Sequence, residues 1–454
     1  MKLPRLLPID LIITSLCPAQ QQPCILFSSG LNRLGIIFRN RTKMPSAKSS
    51  YSTSPPPLVK VSSLPPVDST LVNTDHHVNS PPTAFENPWS SFQKVSLSTI
   101  FWTRFGTHPE KNFVPVPEGP NGTRSEELVK VVKPDWGSSN LDSLRATWLG
   151  HASFLVETPV LPGCERGLRI LFDPVFSERT SPFSFAGPKR YTPTPCTLDE
   201  LPDVDIVCIS HNHYDHLDIT TIKALRRRHG AALKFFAPLG NKAWFITNAP
   251  CEASEAIECD WWQSNLIEAP GRGTVKLTCC PAQHNSGRSI SDHGTTLWSS
   301  WALECMTPSP TDQAETQRGK TFFFAGDTAY QSPHCPDPCP VFTQIGNTFG
   351  PFDLALLPIG LMTPASFMGS FHATPEQSLQ IHQDIKSKLS IGMHYGTVRG
   401  GISARYEDVR DPPRRWRVAG EKADVWCGGG VEGGGDARSP EGVGLCHVGE
   451  TVCV

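Results

Sequence analysis

The densest chemistry in this chain lies in seven consecutive residues, Ser210-His211-Asn212-His213-Tyr214-Asp215-His216. Three imidazoles and a carboxylate in so short a run pack poorly against apolar neighbours. They suit a metal, because zinc prefers His nitrogen and Asp oxygen. The bland alternative is a polar loop that happens to be His-rich. Three later residues repeat the setting. His284 follows the apolar run Val275–Cys279, Asp327 lies in Phe324-Ala325-Gly326-Asp327-Thr328, and His394 lies in Ile391-Gly392-Met393-His394-Tyr395-Gly396. Each alone is an ordinary polar strand terminus. Together they repeat one pattern, an apolar run and then a ligand, and sites in layered α/β sheets sit at such strand ends.

The elements that must position these residues are short. Strands are expected at Arg145–Leu149, Ser153–Thr158, Arg169–Phe172, Asp205–Ser210, Leu233–Ala237, Val275–Cys279, Trp298–Cys305, Thr321–Ala325, Asp353–Leu357 and Leu389–Met393. One helix is expected from Ile219 to His229, stopped by Gly230. Another starts at Thr374, with Pro375 at its first position and Gln377 completing a capping box. Strands interrupted by helices point to a layered α/β protein.

Composition narrows the class. Hydrophobic residues make up 38% of 454 residues, and 43 prolines mark segments that do not pack into a core. A net charge of −2 argues against nucleic acid as a partner. No apolar run is long enough for a spanning helix, so any membrane role is peripheral. The 15 cysteines are scattered without a paired framework and read as free thiols of a reducing, intracellular compartment.

The two ends differ from the middle. Residues 1–83 are Ser/Thr/Pro-rich and are expected to be disordered. Asp10 is the only acidic residue before Asp68, and this acid-poor, basic start resembles a mitochondrial transit peptide. A secretory signal and translation from Met44 are the alternatives. Residues 427–454 read as a Gly-rich flexible tail, and Met306–Gly319 and Gln331–Pro340 read as polar surface insertions.

The order His-x-His-x-Asp-His, then His, Asp and His, resembles the metallo-β-lactamase superfamily. Flanking blocks narrow the likeness: Phe85-Glu86-Asn87-Pro88-Trp89, Trp148-Leu149-Gly150-His151-Ala152-Ser153, Phe172-Asp173-Pro174-Val175-Phe176, Gly187-Pro188-Lys189-Arg190-Tyr191, Gly350-Pro351-Phe352-Asp353-Leu354-Ala355 and Leu357-Pro358-Ile359-Gly360. With His372 before Pro375-Glu376, they resemble the N-acylphosphatidylethanolamine-hydrolysing phospholipase D family. The likeness runs from about Phe85 to Trp416, with a weaker echo near Val443–Thr451. It departs at Ala365 and Ser366 after Pro364, and at Phe371 where an amide side chain is common, which bears on headgroup or acyl preference.

The resemblance implies a four-layer αββα sandwich over residues 84–426 and two zinc ions. His211, His213 and His284 would bind one zinc, Asp215, His216 and His394 the other, and Asp327 both. It further implies a membrane-associated enzyme acting on a phospholipid, releasing N-acylethanolamine and phosphatidic acid. A water shared by two zincs has a pKa near 7, so a zinc-bound hydroxide would be the nucleophile. Asp215, Asp327 and His372 are the catalytic candidates, His372 by helping the leaving alkoxide depart or by capping its helix. His151 and Asp173 read either as carboxylate and imidazole partners of the ligands or as structural hydrogen bonds. Lys189 and Arg190 read as contacts for a lipid phosphate or as solvated surface charge. The rival readings are a lactonase, thioesterase or nuclease of the same superfamily, and a non-catalytic metal-binding scaffold.

Overall fold

Period-two alternation decides how the strands stack. A computed structural model describes residues 58–106, 116, 129–289, 291–308, 316–429 and 441–454. Its strands are β1 (Lys60–Leu64), β2 (Arg145–Gly150), β3 (Ser153–Glu157), β4 (Arg169–Phe172), β5 (Lys189–Arg190), β6 (Ile206–Cys208), β7 (Lys234–Pro238), β8 (Ala256–Cys259), β9 (Ser264–Ala269), β10 (Gly273–Cys280), β11 (Ser300–Pro308), β12 (Thr316–Phe324), β13 (Phe352–Pro358), β14 (Ser387–Met393), β15 (Val398–Arg399), β16 (Trp426–Gly428), β17 (Gly442–Gly444) and β18 (Thr451–Cys453).

Among the described residues, one sheet has the order β18-β2-β3-β4-β6-β7-β8 and the other β1-β9-β10-β11-β12-β13-β14-β17-β16. Each is antiparallel at one end and parallel at the other, changing at β4 and at β12. In β4, Ile170 and Phe172 face the other sheet, while Leu171 joins Ile222 and Leu225 of the helix Ile219–His229 on the outside. The same split separates Phe154 and Val156 from Leu155, and Ile206 and Cys208 from Val207. The sheets meet where the Phe172 ring lies 5.3 Å from Phe322 and 4.8 Å from Phe324. Helices Val341–Phe349, Pro375–Asp384 and Asp411–Lys422 cover the far side of the second sheet through Phe342, Leu379 and Trp416. This is the αββα sandwich.

The two expected helices form as their sequences dictate. Asp218 caps Ile219–His229, Gly230 ends it at φ 57°, and Thr374 and Gln377 close the capping box of Pro375–Asp384. Helices Leu97–Phe105, Val341–Phe349 and Asp411–Lys422 lie outside the expected elements. Among the described residues no helix is long and apolar enough to cross a membrane, and the described cysteines are free.

Both ends need correction. Residues 1–57, with the targeting reading, lie outside the described residues. Residues 58–83 are ordered: Lys60–Leu64 pairs along its whole length with β9, and His76 Nε2 lies 2.7 Å from Asp260 Oδ1. An edge strand tolerates the flanking prolines that made this stretch look disordered. Residues 430–440 are likewise outside the described residues, but the rest of the Gly-rich tail forms strands in both sheets. A Cβ at Gly442 (φ 113°) would meet the Val425 carbonyl oxygen at 2.1 Å, so close packing rather than flexibility requires that glycine. The insertion read at Met306–Gly319 is shorter too, since β11 runs on to Pro308 and β12 begins at Thr316.

One buried carboxylate anchors the start of β6, the strand that delivers the metal-loop residues. Asp205, 2% exposed, accepts from Arg166 at 2.6 and 2.8 Å, Arg272 at 2.5 Å and the Arg169 amide at 2.9 Å. Burial pushes its carboxyl up, but Arg166 and Arg272 hold it below the ordinary range. Asp205→Asn should therefore cost about 3 kcal/mol in urea unfolding at pH 7, because it leaves buried guanidinium groups uncompensated. Asp205 stabilises the fold above its unfolded pKa of about 3.9, and this is lost as pH falls through its lower folded pKa. The gap between wild type and variant should narrow at about pH 3.

Candidate metal centre

Strand ends bring the predicted ligands together at the seam between the sheets. The run from His211 to His216 follows β6, Asp327 follows β12, His394 follows β14, and His284 lies four residues past β10. His211 Nε2, His213 Nδ1, His284 Nε2 and an Asp327 carboxylate oxygen lie within 4.8 Å of one another. His211 Nε2 is 2.8 Å from His213 Nδ1, and Asp327 Oδ2 is 3.8 Å from His211 Nε2 and 3.7 Å from His284 Nε2. A second group of His151, Asp215, His216 and His394 meets the same limit. Asp327 joins the two groups, with Oδ2 3.1 Å from His216 Nε2 and Oδ1 3.1 Å from His394 Nε2. Asp215 Oδ2 lies 3.9 Å from each of these two ring nitrogens.

Neighbouring groups set which ring nitrogen faces the centre. Asp173 Oδ2 is 2.7 Å from His216 Nδ1, so that nitrogen donates outward and Nε2 is the atom turned to the centre. His284 Nδ1 donates to the Phe371 carbonyl at 2.7 Å. The Ser210 hydroxyl donates to Asp173 Oδ2 at 2.5 Å, so His211 Nδ1, 2.9 Å away, donates to that hydroxyl. All three imidazoles thus direct Nε2 at one space. His216 Nε2, His394 Nε2 and Asp327 Oδ1 are buried there with only the Asp327–imidazole contacts at 3.1 Å, which lack hydrogen-bond geometry, and His372 Nδ1 is buried with no hydrogen-bond partner. Buried polar atoms are normally satisfied, and a cation among these would satisfy them. The donor set fits a metal.

Electrostatics agree. Burial, reinforced by the neighbouring imidazoles, holds His211 well below its ordinary pKa, while burial alone dominates in bringing His213 to about 4 and His284 to about 3. These rings are neutral, as metal ligands must be. Burial pushes Asp327 up, but His216 and His394 hold it well below the carboxylate range. His216 and His394 are the exceptions: burial lowers both, yet Asp327 and Asp215, joined at His216 by Asp173, raise His394 above its ordinary value and His216 well above it. His151, Asp173 and His394 have φ of 56°, 39° and 62°, a region non-glycine residues seldom occupy and in which Asp and His are among the better tolerated.

The remaining candidates divide. Asp173 and His151 touch ligands, His151 through Nε2 at 3.0 Å from Asp215 Oδ2. His372 is buried, with Nδ1 4.0 Å from Asp327 Oδ2, and burial holds it well below its ordinary pKa as a neutral ring. Lys189 and Arg190 do not face a substrate site as expected. Arg190 is 4% exposed and donates to the Val175 carbonyl at 2.6 Å, and burial brings it down to about 10. Lys189 pairs with Glu178 at 2.7 Å. A cavity of about 130 Å³ reaches His151, Asp215 and His394, with Tyr191, Arg399 and Glu407 on its wall.

The family model described as Beta-lactamase superfamily domain matches residues 168–395. "N-acyl-phosphatidylethanolamine-hydrolyzing phospholipase D 1" of Caenorhabditis elegans is 38% identical over 271 residues, 59% of this chain and 68% of the relative. The chain belongs to the N-acylphosphatidylethanolamine-hydrolysing phospholipase D family of the metallo-β-lactamase superfamily. An uncharacterised protein of Mycobacterium tuberculosis is 36% identical over 62% of this chain and 66% of its own length. The Saccharomyces cerevisiae relative, "N-acyl-phosphatidylethanolamine-hydrolyzing phospholipase D, mitochondrial", is 28% identical over 69% of this chain and 67% of its own. The chain spans about two thirds of the length of these relatives, and like others of the superfamily it is a metal-dependent hydrolase.

The phospholipase D family pattern did not reveal Ser210, the Phe371 carbonyl or Thr397, whose hydroxyl accepts from the His151 amide at 2.8 Å. Ser210 adjoins the motif and was the one within reach. Backbone carbonyls leave no mark in a sequence. Two outcomes follow. Asp173→Asn should weaken metal binding by about 10–100-fold with the circular dichroism unchanged, read by competition with a chromophoric chelator. Metal binding should also release a proton from His216, so affinity rises with pH. Calorimetry in buffers of different ionisation heat would detect this, and binding heats independent of the buffer at neutral pH would contradict it.

Proposed function

We propose that this chain cleaves N-acylphosphatidylethanolamine to N-acylethanolamine and phosphatidic acid with two zinc ions. His211, His213 and His284 would hold one zinc, Asp215, His216 and His394 the other, and Asp327 would be shared. The observation that carries this reading is the convergence of both ligand groups on Asp327, with buried ring nitrogens crowded onto it at 3.1 Å without hydrogen-bond geometry. The names of the worm and yeast relatives support the substrate. When bound, zinc supplies positive charge to the phosphoryl oxygens and makes hydroxide available at neutral pH.

The chain's own residues do the rest. Asp173, Ser210 and the Phe371 carbonyl hold the rings in one tautomer. His372 is neutral, so it serves by hydrogen-bonding the phosphoryl group or leaving oxygen rather than by carrying a standing proton. Arg399 on the cavity wall offers the charge that a phosphodiester attracts. Phe371 packs 6.0 Å from Phe92 and 6.5 Å from Phe367, an apolar wall beside His284 suited to an acyl chain.

Peripheral membrane attachment belongs to this proposal. The helix Leu97–Phe105 leaves Leu97, Phe101, Trp102 and Phe105 exposed, which suits an interfacial element. A mitochondrial address draws support from the acid-poor start and the yeast relative's name.

The test is to incubate the full chain with N-acylphosphatidylethanolamine micelles and follow products by mass spectrometry. N-acylethanolamine and phosphatidic acid should appear, and Asp327→Asn should lower their rate by about a hundredfold or more. No turnover by folded, zinc-loaded protein would sink the lipid reading and point to lactones, thioesters or other phosphodiesters.

A further inference from the structure

We propose that Arg288 is a positioning residue that sets the shape of the metal loop from behind. Its Nη1 donates to the Asn212 carbonyl at 2.8 Å and to the Leu217 carbonyl at 2.9 Å. Those two carbonyls bracket His213, Tyr214, Asp215 and His216. The run is a single turn in which the His213 carbonyl accepts from the His216 amide at 3.1 Å and the Leu217 amide at 2.9 Å, while the carbonyls at its two ends, Asn212 and Leu217, accept from Arg288. The guanidinium also lies 3.8 Å from the centroid of the ring of Tyr214, which stands in the chain between the ligands His213 and Asp215. One planar cation therefore closes the chord of the loop and fixes its apex.

The clamp is tied to another ligand. Gly287, beside Arg288, donates its amide to Asn212 Oδ1 at 2.7 Å. The turn that presents both is held by Asp292 Oδ1, which accepts from the amides of Arg288 at 2.9 Å and Ser289 at 2.7 Å. His284 opens this segment, four residues before Arg288. A single stretch thus supplies His284 to one ligand group and grips the loop that supplies both groups. Coordination requires ligand atoms placed to about half an ångström, and the loop's own backbone bonds converge on the His213 carbonyl alone, leaving its two ends to be fixed from outside. The Arg288 clamp supplies the constraint.

This inference rests on the metal-centre reading and not on the lipid substrate. The test uses the full chain and Zn²⁺ alone. Zn²⁺ affinity is measured by chelator competition, and the visible spectrum of the Co²⁺-substituted protein reports ligand geometry. Arg288→Met should weaken Zn²⁺ binding by about 10–100-fold and alter the Co²⁺ spectrum. Arg288→Lys, which keeps a donor but loses the planar face, should recover part of the affinity. Equal affinity and spectrum in folded Arg288→Met would overturn the proposal. If that variant does not fold, Tyr214→Leu decides: it keeps both carbonyl bonds but removes the stacked ring, so an unchanged spectrum would overturn the clamp. Wild type that binds no Zn²⁺ would instead overturn the metal centre itself.

Discussion

A buried carboxylate, Asp327, and a partly exposed one, Asp215, among imidazoles constrain everything around them. Both are held ionised by the rings nearby, and Asp327 meets the inward nitrogens of His216 and His394 at 3.1 Å with no other polar group to complete them. An arrangement like this costs several kcal/mol unless a cation completes it. The sandwich holds that cost. It brings the ends of β6, β12 and β14 to one seam and grips each ligand from behind.

Those grips give the centre its order. Asp173 ties His216, Ser210 and, through Ser210, His211 into one chain, while the Phe371 carbonyl holds His284. Asp173 follows β4, and His151 sits in the turn between β2 and β3. The first sheet thus furnishes orienting groups as well as the motif loop, and the second furnishes Asp327, His394 and His284. Neither sheet alone has a complete set, so assembly of the centre depends on the packing of Phe172 against Phe322 and Phe324.

The exposed apolar features stand on different physics. The exposed aromatic residues of Leu97–Phe105 lie outside the metal centre, but the helix is fastened to the cavity wall. Tyr406 donates to the Thr103 carbonyl at 2.6 Å, and Arg405 donates to the Arg104 carbonyl at 2.7 Å. The adjoining residues Ser403 and Glu407 line the cavity beside Asp215 and His394. An apolar element and the reaction site share one supporting segment.

The sequence by itself singled out the candidate ligands and the strands that carry them. Three imidazoles and a carboxylate after an apolar run have few other uses, and the apolar runs before Asp327 and His394 bury on both faces and so read clearly. Two of the helices were legible from their caps alone. Only tertiary structure decided the rest. The glycines near residue 442 looked flexible because composition cannot register that a backbone packs against them, and Lys60–Leu64 looked disordered because an edge strand needs only a partner. Arg190 resembled a phosphate contact until burial turned it onto Val175. Arg288 showed no local pattern at all. A ligand's type is a local property written in one residue, whereas its orientation comes from carbonyls and charges brought from distant segments, and only the folded chain brings them together.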